Sequence, residues 1–425
     1  MRSPLLPLAC AACLFLFTRP AAHAADLQDL TLEAAVQATL QHNPRLRAAL
    51  HEAQASDGAL RQAGALPNPV LSVEQEDSRR DSRSTTLMLS QTLELGGKRE
   101  ARQLLARRGG ELATLALQVE RSALRADARQ AFFEALIAQQ RVEMAQASVR
   151  IAAQGVDVAA RRVAAGKVSP TEETRARVAE AGARIEQRQA EAERSAALRA
   201  LCELMGAGDC ALRVQGDAEA LPALPDGPVL AERLARAPLL LLARAEAQRA
   251  DAGYQLERAR AVPDVSVGLG GKRSQELGRT QPLLSLSVPL PLLDRNQGAQ
   301  LEALRRREAA EARVQAQAQR LRAEVLQAAD RLAARLAEVA LLRREVLPGA
   351  QSAFDAASRG FELGKFGFLD VLDAQRTWLQ ARSQHLNALA QAHRAAAEIE
   401  RLLGPGDDDA HGADHSAAHL PGALQ

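Results

Sequence analysis

The sequence is poor in aromatic residues. Phe, Trp and Tyr together make up only 2% of its 425 residues, too few to fill several ordinary globular cores. Charged residues make up 25%, and Ala, Leu, Arg, Glu and Gln dominate, which is typical of long helices. We therefore expect helices that pack mainly through Ala and Leu, in two or three domains or in one elongated domain.

Long apolar runs and net charge are also missing. Beyond residue 24 there is no run of about 18 apolar residues, the minimum for a transmembrane helix, so only strands could cross a membrane. The chain has 54 basic and 52 acidic residues, and removal of a leader containing Arg2 and Arg19 would make the two equal. This balance gives no electrostatic reason to expect a nucleic acid partner.

The N-terminus has the features of a leader. Arg2 precedes an apolar run and an A-x-A site that ends at Ala24, which predicts a secretory signal peptide over residues 1–24. Lipidation at Cys10 is the less favoured alternative, because Pro7 stands where an aliphatic residue is usual. We therefore expect an exported protein.

Cysteine is scarce, and only Cys202 and Cys210 would remain after the leader is removed. They flank the end of a predicted helix, eight residues apart. An exported pair of this kind favours a loop disulfide that staples the structure. The alternative is two unpaired thiols, one of them buried in the last helical turn.

Two periodicities alternate along the mature chain. Residues 31–64 have a helical apolar pattern with a break at Pro44. Apolar residues then alternate with polar ones over 69–76 and 86–95, which predicts a hairpin with a polar tip at 77–83.

A very long helix follows. From Lys98 to about Val163 there is no proline, and apolar residues recur every seven positions, as in a coiled-coil seam. At 1.5 Å per residue this helix would be roughly 95–100 Å long. A turn at Gly166 and a helix to Met205 complete the first half. The seam consists of Leu105, Leu112, Val119, Ala126 and Phe133.

The second half repeats this order. A helix from Pro238 precedes two alternating strands, near 264–269 and 284–290, and a long helix over 297–361 that Pro348 should bend. A turn at 364–368 then leads into a helix to Leu403. The seam of the second long helix is predicted at Val325, Leu332, Val339 and Val346. Prolines are expected at strand ends, namely Pro263, Pro282 and Pro289.

The predicted fold class is mainly α with a small β part: an internally duplicated helical coiled-coil barrel with four strands per chain. The predicted organisation is a signal peptide (1–24), a first repeat (25–220), a second repeat (221–404) and a disordered Asp/His-rich tail (405–425). Four strands cannot close a barrel, and an open sheet cannot sit in a membrane. Several chains must pool their strands, and three chains would give twelve.

A few short segments of the sequence are characteristic, namely Asn68-Pro69, LSQTLELGGKRE (89–100), Gly166-Lys167, Gly364-Lys365 and LDVLDAQ (369–375). With these segments the sequence resembles the TolC-type outer-membrane efflux family over essentially the whole mature chain. The SQTLELGGKR run is most similar to the heavy-metal branch typified by CzcC. The resemblance carried by these segments implies a homotrimer in the outer membrane of a Gram-negative bacterium, with a twelve-stranded β-barrel that continues into a periplasmic α-barrel. It also implies a periplasmic adaptor and an inner-membrane pump of the resistance-nodulation-division type as partners.

The chain departs from this family in two respects. Its strands contain no aromatic residues, whereas outer-membrane barrels usually carry aromatic girdles, so Leu must supply the lipid-facing belt. Phe361 and Phe366 stand where well-known members have polar gating partners, so the closing interactions of those relatives are not assumed.

Three acidic residues follow the two turns. The resemblance places Asp370 and Asp373 at the periplasmic entrance, and Glu172 matches them through the repeat. In a trimer each position would give a ring of three carboxylates that attracts cations. The alternative is helix capping, because acidic groups are favourable at helix N-termini. The two roles are compatible.

The turns themselves are candidate contact surfaces. The resemblance implies that Gly166, Lys167 and Val168, together with Gly364, Lys365 and Phe366, contact the adaptor. Simple turn chemistry explains the glycines but not an exposed Phe366.

The histidines are divided between the tail and the helices. His411, His415 and His419 recur every four residues among aspartates, so the tail either binds a transition metal or is a disordered polar segment. The helix histidines are predicted to be solvated, namely His42, His51, His385 and His393.

The predicted function is a passive outer-membrane exit duct, without cofactor, for divalent heavy-metal cations. No Ser-His-Asp, paired-carboxylate or Cys-His arrangement indicates an enzyme. Two alternatives are the same duct serving multidrug efflux or type I secretion, and a periplasmic coiled-coil scaffold without a channel. The scaffold leaves the four alternating strands unexplained.

Overall fold

The computed structural model describes residues 28–77, 79–208 and 212–406. The predicted signal peptide, Cys210 and the tail histidines lie outside these ranges.

The first half builds a hairpin between helices. Asn43 separates the first two helices, because its side chain caps the second helix at Arg45 N (2.8 Å) and also donates to the carbonyl of Leu204 (2.9 Å). Pro44 then occupies the first helical turn, where no N–H is needed. The elements are β1 (Gln28–Leu30), α1 (Leu32–His42), α2 (Pro44–Gly64), β2 (Val70–Glu76), β3 (Ser84–Leu93), α3 (Lys98–Ala164) and α4 (Pro170–Leu204).

The second half has the same succession with additions. Short strands β1 and β4 pair in parallel, and these strands and helix α5 are too short to show a period in the sequence. The elements are β4 (Leu212–Val214), α5 (Gly227–Ala235), α6 (Pro238–Arg260), β5 (Val265–Ser274), β6 (Arg279–Ser287), α7 (Gln297–Leu341), α8 (Leu347–Glu362) and α9 (Phe368–Leu403).

A π-helical turn, Leu342–Val346, interrupts the second long helix just before Pro348. A wider turn at this point accommodates the missing N–H and the ring of Pro348. The extra residue also shifts the heptad seam by one position, so Val346, predicted in the seam, is 36% exposed. Below the turn the seam continues through residues that are buried or half-buried, namely Leu347, Ala350, Phe354, Ala357 and Phe361.

The four longer strands form one antiparallel sheet in the order β2-β3-β5-β6. A row of leucines crosses all four strands on one face, and each is between 53% and 76% exposed. The row consists of Leu71, Leu89, Leu269 and Leu284.

The prediction that Pro282 stands at a strand end is wrong, because Pro282 lies inside β6. β6 is an edge strand with a partner on one side only. A residue without an N–H is tolerated at such an edge.

The helical core runs along α3. This helix packs against α2 and α6 near the sheet and against α4 and α9 further away. Of its predicted seam, Ala126 is fully buried and the other positions are half-buried. A buried carboxylate also joins α3 to α9, because Glu400 is 5% exposed and lies 3.0 Å from Arg129 and 3.1 Å from Arg125. None of the described helices is long and apolar enough to span a membrane.

Candidate functional site

The two helical turns at the end opposite the sheet have the same backbone geometry. Gly166 and Gly364 adopt positive φ values of 64° and 74°, a conformation that favours glycine. The following N–H, of Lys167 or Lys365, donates to the carbonyl five residues earlier, of Arg162 or Gly360, at 2.9 and 2.8 Å. Both helices therefore end in the same glycine-dependent cap.

The helices that leave the turns are capped differently. Ser169 accepts the N–H of Thr171 at 3.4 Å, with Pro170 in the first turn of α4. At the second turn, Asp370 accepts the N–H of Gly367 at 2.9 Å. Capping is therefore part of the role of Asp370, whose side chain is nevertheless exposed.

The three predicted entrance carboxylates lie near these helix starts. Asp370 and Asp373 are exposed, and Glu172 is half-buried. Their exposure is compatible with a role in an aqueous passage, and the role itself stays a prediction.

The candidate adaptor-contacting residues are at the surface. Five of the six are exposed and Val168 is half-buried. Phe366, 48% exposed, lies against Gly360, where an added Cβ would stand 2.1 Å from its ring. Glycine at position 360 leaves the space that this ring occupies against α8.

An aromatic contact joins the two turns within one chain. The guanidinium of Arg162, on α3, lies 4.5 Å from the ring centroid of Phe361, on α8. Phe361 in turn lies 5.8 Å from Phe368, the first residue of α9. Cation–π contacts of this kind are attractive, so the helical tips of the two halves are held together.

The LELGGKRE segment forms the joint between the sheet and α3. Gly96 and Gly97 have φ values of 70° and 72°. An added Cβ on Gly96 would stand 2.6 Å from the Cβ of Val262. Lys98 then places its Nζ 2.6 Å from Asp264, across from β3. The two glycines turn the chain, and Lys98 fixes the new helix to the second half.

Arg102 completes this joint. Its guanidinium holds both carboxylate oxygens of Glu94, at 2.5 and 3.0 Å, and also donates to the carbonyls of Ala63 and Ala65. The hydrogen bonds from Arg102 lower the pKa of Glu94 below its ordinary value. In the sequence, only the family resemblance of residues 89–100 pointed to this joint. The residues that it contacts, such as Asp264 and Ala63, are distant in the chain.

The prediction that His385 and His393 are solvated is wrong. They are 7% and 4% exposed, because the linker between the halves, residues 215–226, covers α9. His385 Nε2 lies 2.6 Å from Glu219, and His393 Nε2 donates to the carbonyl of Ala218 at 2.9 Å. The two histidines, two turns apart on one face of α9, fasten the linker to this helix.

Burial has an electrostatic consequence for His393. Its ring stacks on Phe133 with centroids 3.6 Å apart. Burial lowers the pKa of His393 below its ordinary value, and the carbonyl of Ala218 opposes this effect. His393 is therefore a neutral structural residue at neutral pH.

Two further candidates are only partly covered by the described residues. Cys202 is disulfide-bonded, while Cys210, its predicted partner, lies outside the described ranges. His411, His415 and His419 also lie outside them. Within the described ranges, no group of three or more His, Cys, Asp or Glu side chains is arranged to hold a metal ion.

Comparisons with known proteins agree on one family. The family described as Outer membrane efflux protein matches residues 35–207 and 229–405. The cobalt-zinc-cadmium resistance protein CzcC of Cupriavidus metallidurans is 43% identical over 376 residues, 88% of this chain and 90% of CzcC. Protein CyaE of Bordetella pertussis is 30% identical over 408 residues, 89% of this chain and 85% of CyaE.

A solved structure supports the same fold. A crystal structure of CusC, studied for its folding and transmembrane channel formation, superposes with a TM-score of 0.75. The alignment covers 89% of this chain and 93% of that chain at 20% identity.

Proposed function

This chain belongs to the outer membrane efflux protein family, and from that premise we propose that it forms the passive exit duct of a tripartite pump for divalent heavy-metal cations. The outer-membrane location and the efflux channel class follow from the family. The metal cargo, the homotrimer and the pump partners are the proposal.

The two open edges of the sheet support assembly of several copies. β2 and β6 each have a partner on one side only, and unpaired backbone groups are not tolerated in lipid. Pairing β6 of one copy with β2 of the next removes every edge when the ring closes. Three copies give about twelve strands, within the range of outer-membrane barrels. This observation carries the proposal of a trimeric duct.

An edge helix supports the same assembly. α4 packs mainly along α3, and it leaves Val178 and Ile185 exposed by 68% and 60%, seven residues apart. Residues at this spacing lie on one face of a helix. A neighbouring copy would bury this face.

The likeness to CzcC supports the metal cargo. CzcC is a cobalt-zinc-cadmium resistance protein, and the two chains are 43% identical over 376 residues. The exposed Asp370 and Asp373 would add a cation-attracting ring at the periplasmic mouth.

We infer that the duct works passively with two other proteins. A periplasmic adaptor would contact the exposed turns, residues 166–168 and 364–366, and an inner-membrane pump of the resistance-nodulation-division type would supply the energy. The chain itself would carry no catalytic activity and no cofactor.

Metal tolerance of a deletion strain tests the cargo. Cells that lack this chain but keep its adaptor and pump should lose growth in zinc, cobalt or cadmium, and the wild-type chain should restore it. Tolerance of organic drugs and export of polypeptides are measured in the same strains. Restored drug tolerance or polypeptide export, with metal tolerance unaffected, would reject the metal cargo and retain the duct.

A heat-modifiable band on gels of the outer-membrane fraction tests the assembly separately. The unheated sample should migrate as a trimer and the heated one as a monomer. A monomer found only in the soluble fraction would reject the duct in favour of a periplasmic scaffold.

A further inference from the structure

The two joints between sheet and long helix differ in length and in chemistry. The first joint has four residues, from the end of β3 at Leu93 to the start of α3 at Lys98. The second has nine, from the end of β6 at Ser287 to the start of α7 at Gln297. The extra length contains residues 288–293, Val-Pro-Leu-Pro-Leu-Leu, which we call the leucine loop.

The leucine loop presents apolar side chains to its surroundings. Val288 is 43% exposed, Leu290 74%, Leu292 72% and Leu293 92%. Val288 and Leu290 extend the alternation of the exposed leucines of β6, Leu284 and Leu286, as far as a tight turn in which the N–H of Leu292 donates to the carbonyl of Leu290 at 2.8 Å. The leucine face of the sheet therefore continues beyond the last hydrogen-bonded residue of β6.

Polar contacts fold the loop and tie its far end to α6. Arg295 Nε donates to the carbonyl of Pro291 and Gln297 Nε2 to the carbonyl of Leu293, both at 3.2 Å. Asn296 donates to the backbone carbonyl and to the carboxylate of Glu257, on α6, both at 2.8 Å. Asp294 accepts the N–H of Asn296 at 2.8 Å. The loop is therefore held between β6 and α6, and its apolar part ends where charged residues begin.

A neighbouring strand is poorly suited to cover the loop. Pro289 and Pro291 have no N–H to continue a ladder. In the proposed trimer, the facing segment of the next copy precedes β2 and contains Pro67 and Pro69, which also have none. Backbone pairing between copies should stop at this level.

We propose that the leucine loop inserts into the periplasmic leaflet of the outer membrane as an interfacial anchor. The occupant of this surface is the acyl and headgroup boundary of phospholipid, because the loop continues the lipid-facing row of leucines and ends in Asp294 and Arg295. Binding at the bilayer interface becomes stronger with the apolar area that is buried there. The strands have no aromatic girdle, and the leucine loop replaces the girdle at the periplasmic interface of the membrane. The inference rests on the proposed duct.

Spin labels on the full-length trimer test the anchor in vesicles of phosphatidylethanolamine and phosphatidylglycerol. A nitroxide is attached at Leu293→Cys under non-reducing conditions, since Cys202 is disulfide-bonded. Its collision rates with oxygen and with a water-soluble nickel chelate are then compared. Leu269→Cys, in the leucine row, is the lipid control. Gly298→Cys, in the first turn of α7 with no atom within 4 Å of an added Cβ, is the water control.

The ratio of the collision rate with oxygen to that with the nickel chelate should be about threefold higher for the label at position 293 than for the label at 298. Equal ratios at 293 and 298 would place the loop in water and overturn the anchor. An immobilised label that neither reagent reaches would mean that a second copy covers the loop, which also overturns it. A nickel-favoured label at 269 would reject the duct itself, so the two failures are distinguishable.

Discussion

The two halves of the chain build the same succession of helix, hairpin, long helix and helix, but their last helices are covered differently. α4 and α9 have 35 and 36 residues, yet 5 residues of α4 and 16 of α9 are buried. α4 packs mainly along α3, whereas α9 lies among α3, α7, α8 and the linker between the halves. The neighbours of a helix, and not its place in the repeat, determine how much of it is buried.

The long helices show a second difference. α3 runs without interruption for 67 residues, while its counterpart contains the π-helical turn at Leu342–Val346. The extra residue of that turn changes the heptad seam, and the apolar sequence on either side follows the change. The interruption is therefore encoded in the spacing of the seam and not only in Pro348.

Single-residue deletions in the two long helices should have the largest and most different effects on stability and assembly. Deleting Glu345 in a Pro348→Ala background restores a spacing of seven across the turn, so we expect the free energy of unfolding to change by no more than about 1 kcal/mol. Deleting the exposed Arg150 rotates the rest of α3 by about 100° and turns Ala152 and Ala159 away from their neighbours. The yield of the proposed heat-modifiable trimer should then fall by about tenfold.

Both deletions are measured by trimer yield on gels and by thermal unfolding. Pro348→Ala alone is the matched control for the first. Equal losses in the two deletions would mean that the seam shift has no structural role.

Removing the acidic charges at the two turns should have the next largest effect, and the effect should differ between the first and the second turn. Asp370→Asn with Asp373→Asn keeps an oxygen to accept the N–H of Gly367 and removes only the charges. We expect the cation-to-anion permeability ratio in planar bilayers to fall about twofold or more. Glu172→Gln, at the half-buried position of the first turn, should have a smaller effect.

Asp57→Asn, an exposed change on α2, is the control for charge alone. Unchanged selectivity in the double variant would assign Asp370 to helix capping only.

The linker that covers α9 should make stability depend on pH. Because burial lowers the pKa of His393 below its ordinary 6.5, the unfolded chain binds this proton more readily. The stabilisation is therefore complete above pH 6.5 and is lost as the pH falls through the lower pKa of the folded state. His393→Gln keeps an N–H donor for Ala218 but does not titrate, so its melting temperature should fall less than that of the wild type between pH ~8 and ~5.

His51→Gln, on the exposed face of α2, is the control and should leave the pH profile unchanged. A His393→Gln variant with the wild-type profile would assign the acid sensitivity to other groups.

The contact that joins the two tips should give the smallest effect. A double-mutant cycle with Arg162→Met and Phe361→Leu should show a coupling energy of about 0.5–1 kcal/mol, as for a partly desolvated cation–π pair. Thermal unfolding of the four proteins measures it. Additive single effects would show that the tips are joined by apolar packing alone.

Much of the fold could be predicted because its signals are local. The alternation of leucines in the strands, the break before Pro44 and the glycine turns at 166 and 364 each depend on a few adjacent residues. The positions of Asp370, Asp373 and Phe366 at an exposed tip follow from the same turns. The role proposed for these residues involves other copies and other proteins, so a single chain does not decide it.

The remainder depends on distant partners. His385 and His393 meet Glu219 and Ala218 across 166 and 175 residues, so nothing near them in the sequence marks them as buried. The LELGGKRE joint is similar in this respect, because Lys98 contacts Asp264 across 166 residues.

The long helices, the hairpins and the repeat follow from the sequence alone, since periodicity and turn residues are local signals within a few adjacent residues. Tertiary packing, in contrast, sets which of two corresponding helices, such as α4 and α9, is central and which lies at an edge. It also decided where the π-helical turn shifts the seam and which joint carries an exposed apolar loop. These outcomes depend on the packing of segments far apart in the chain, where burial and hydrogen bonding are decided by the partner.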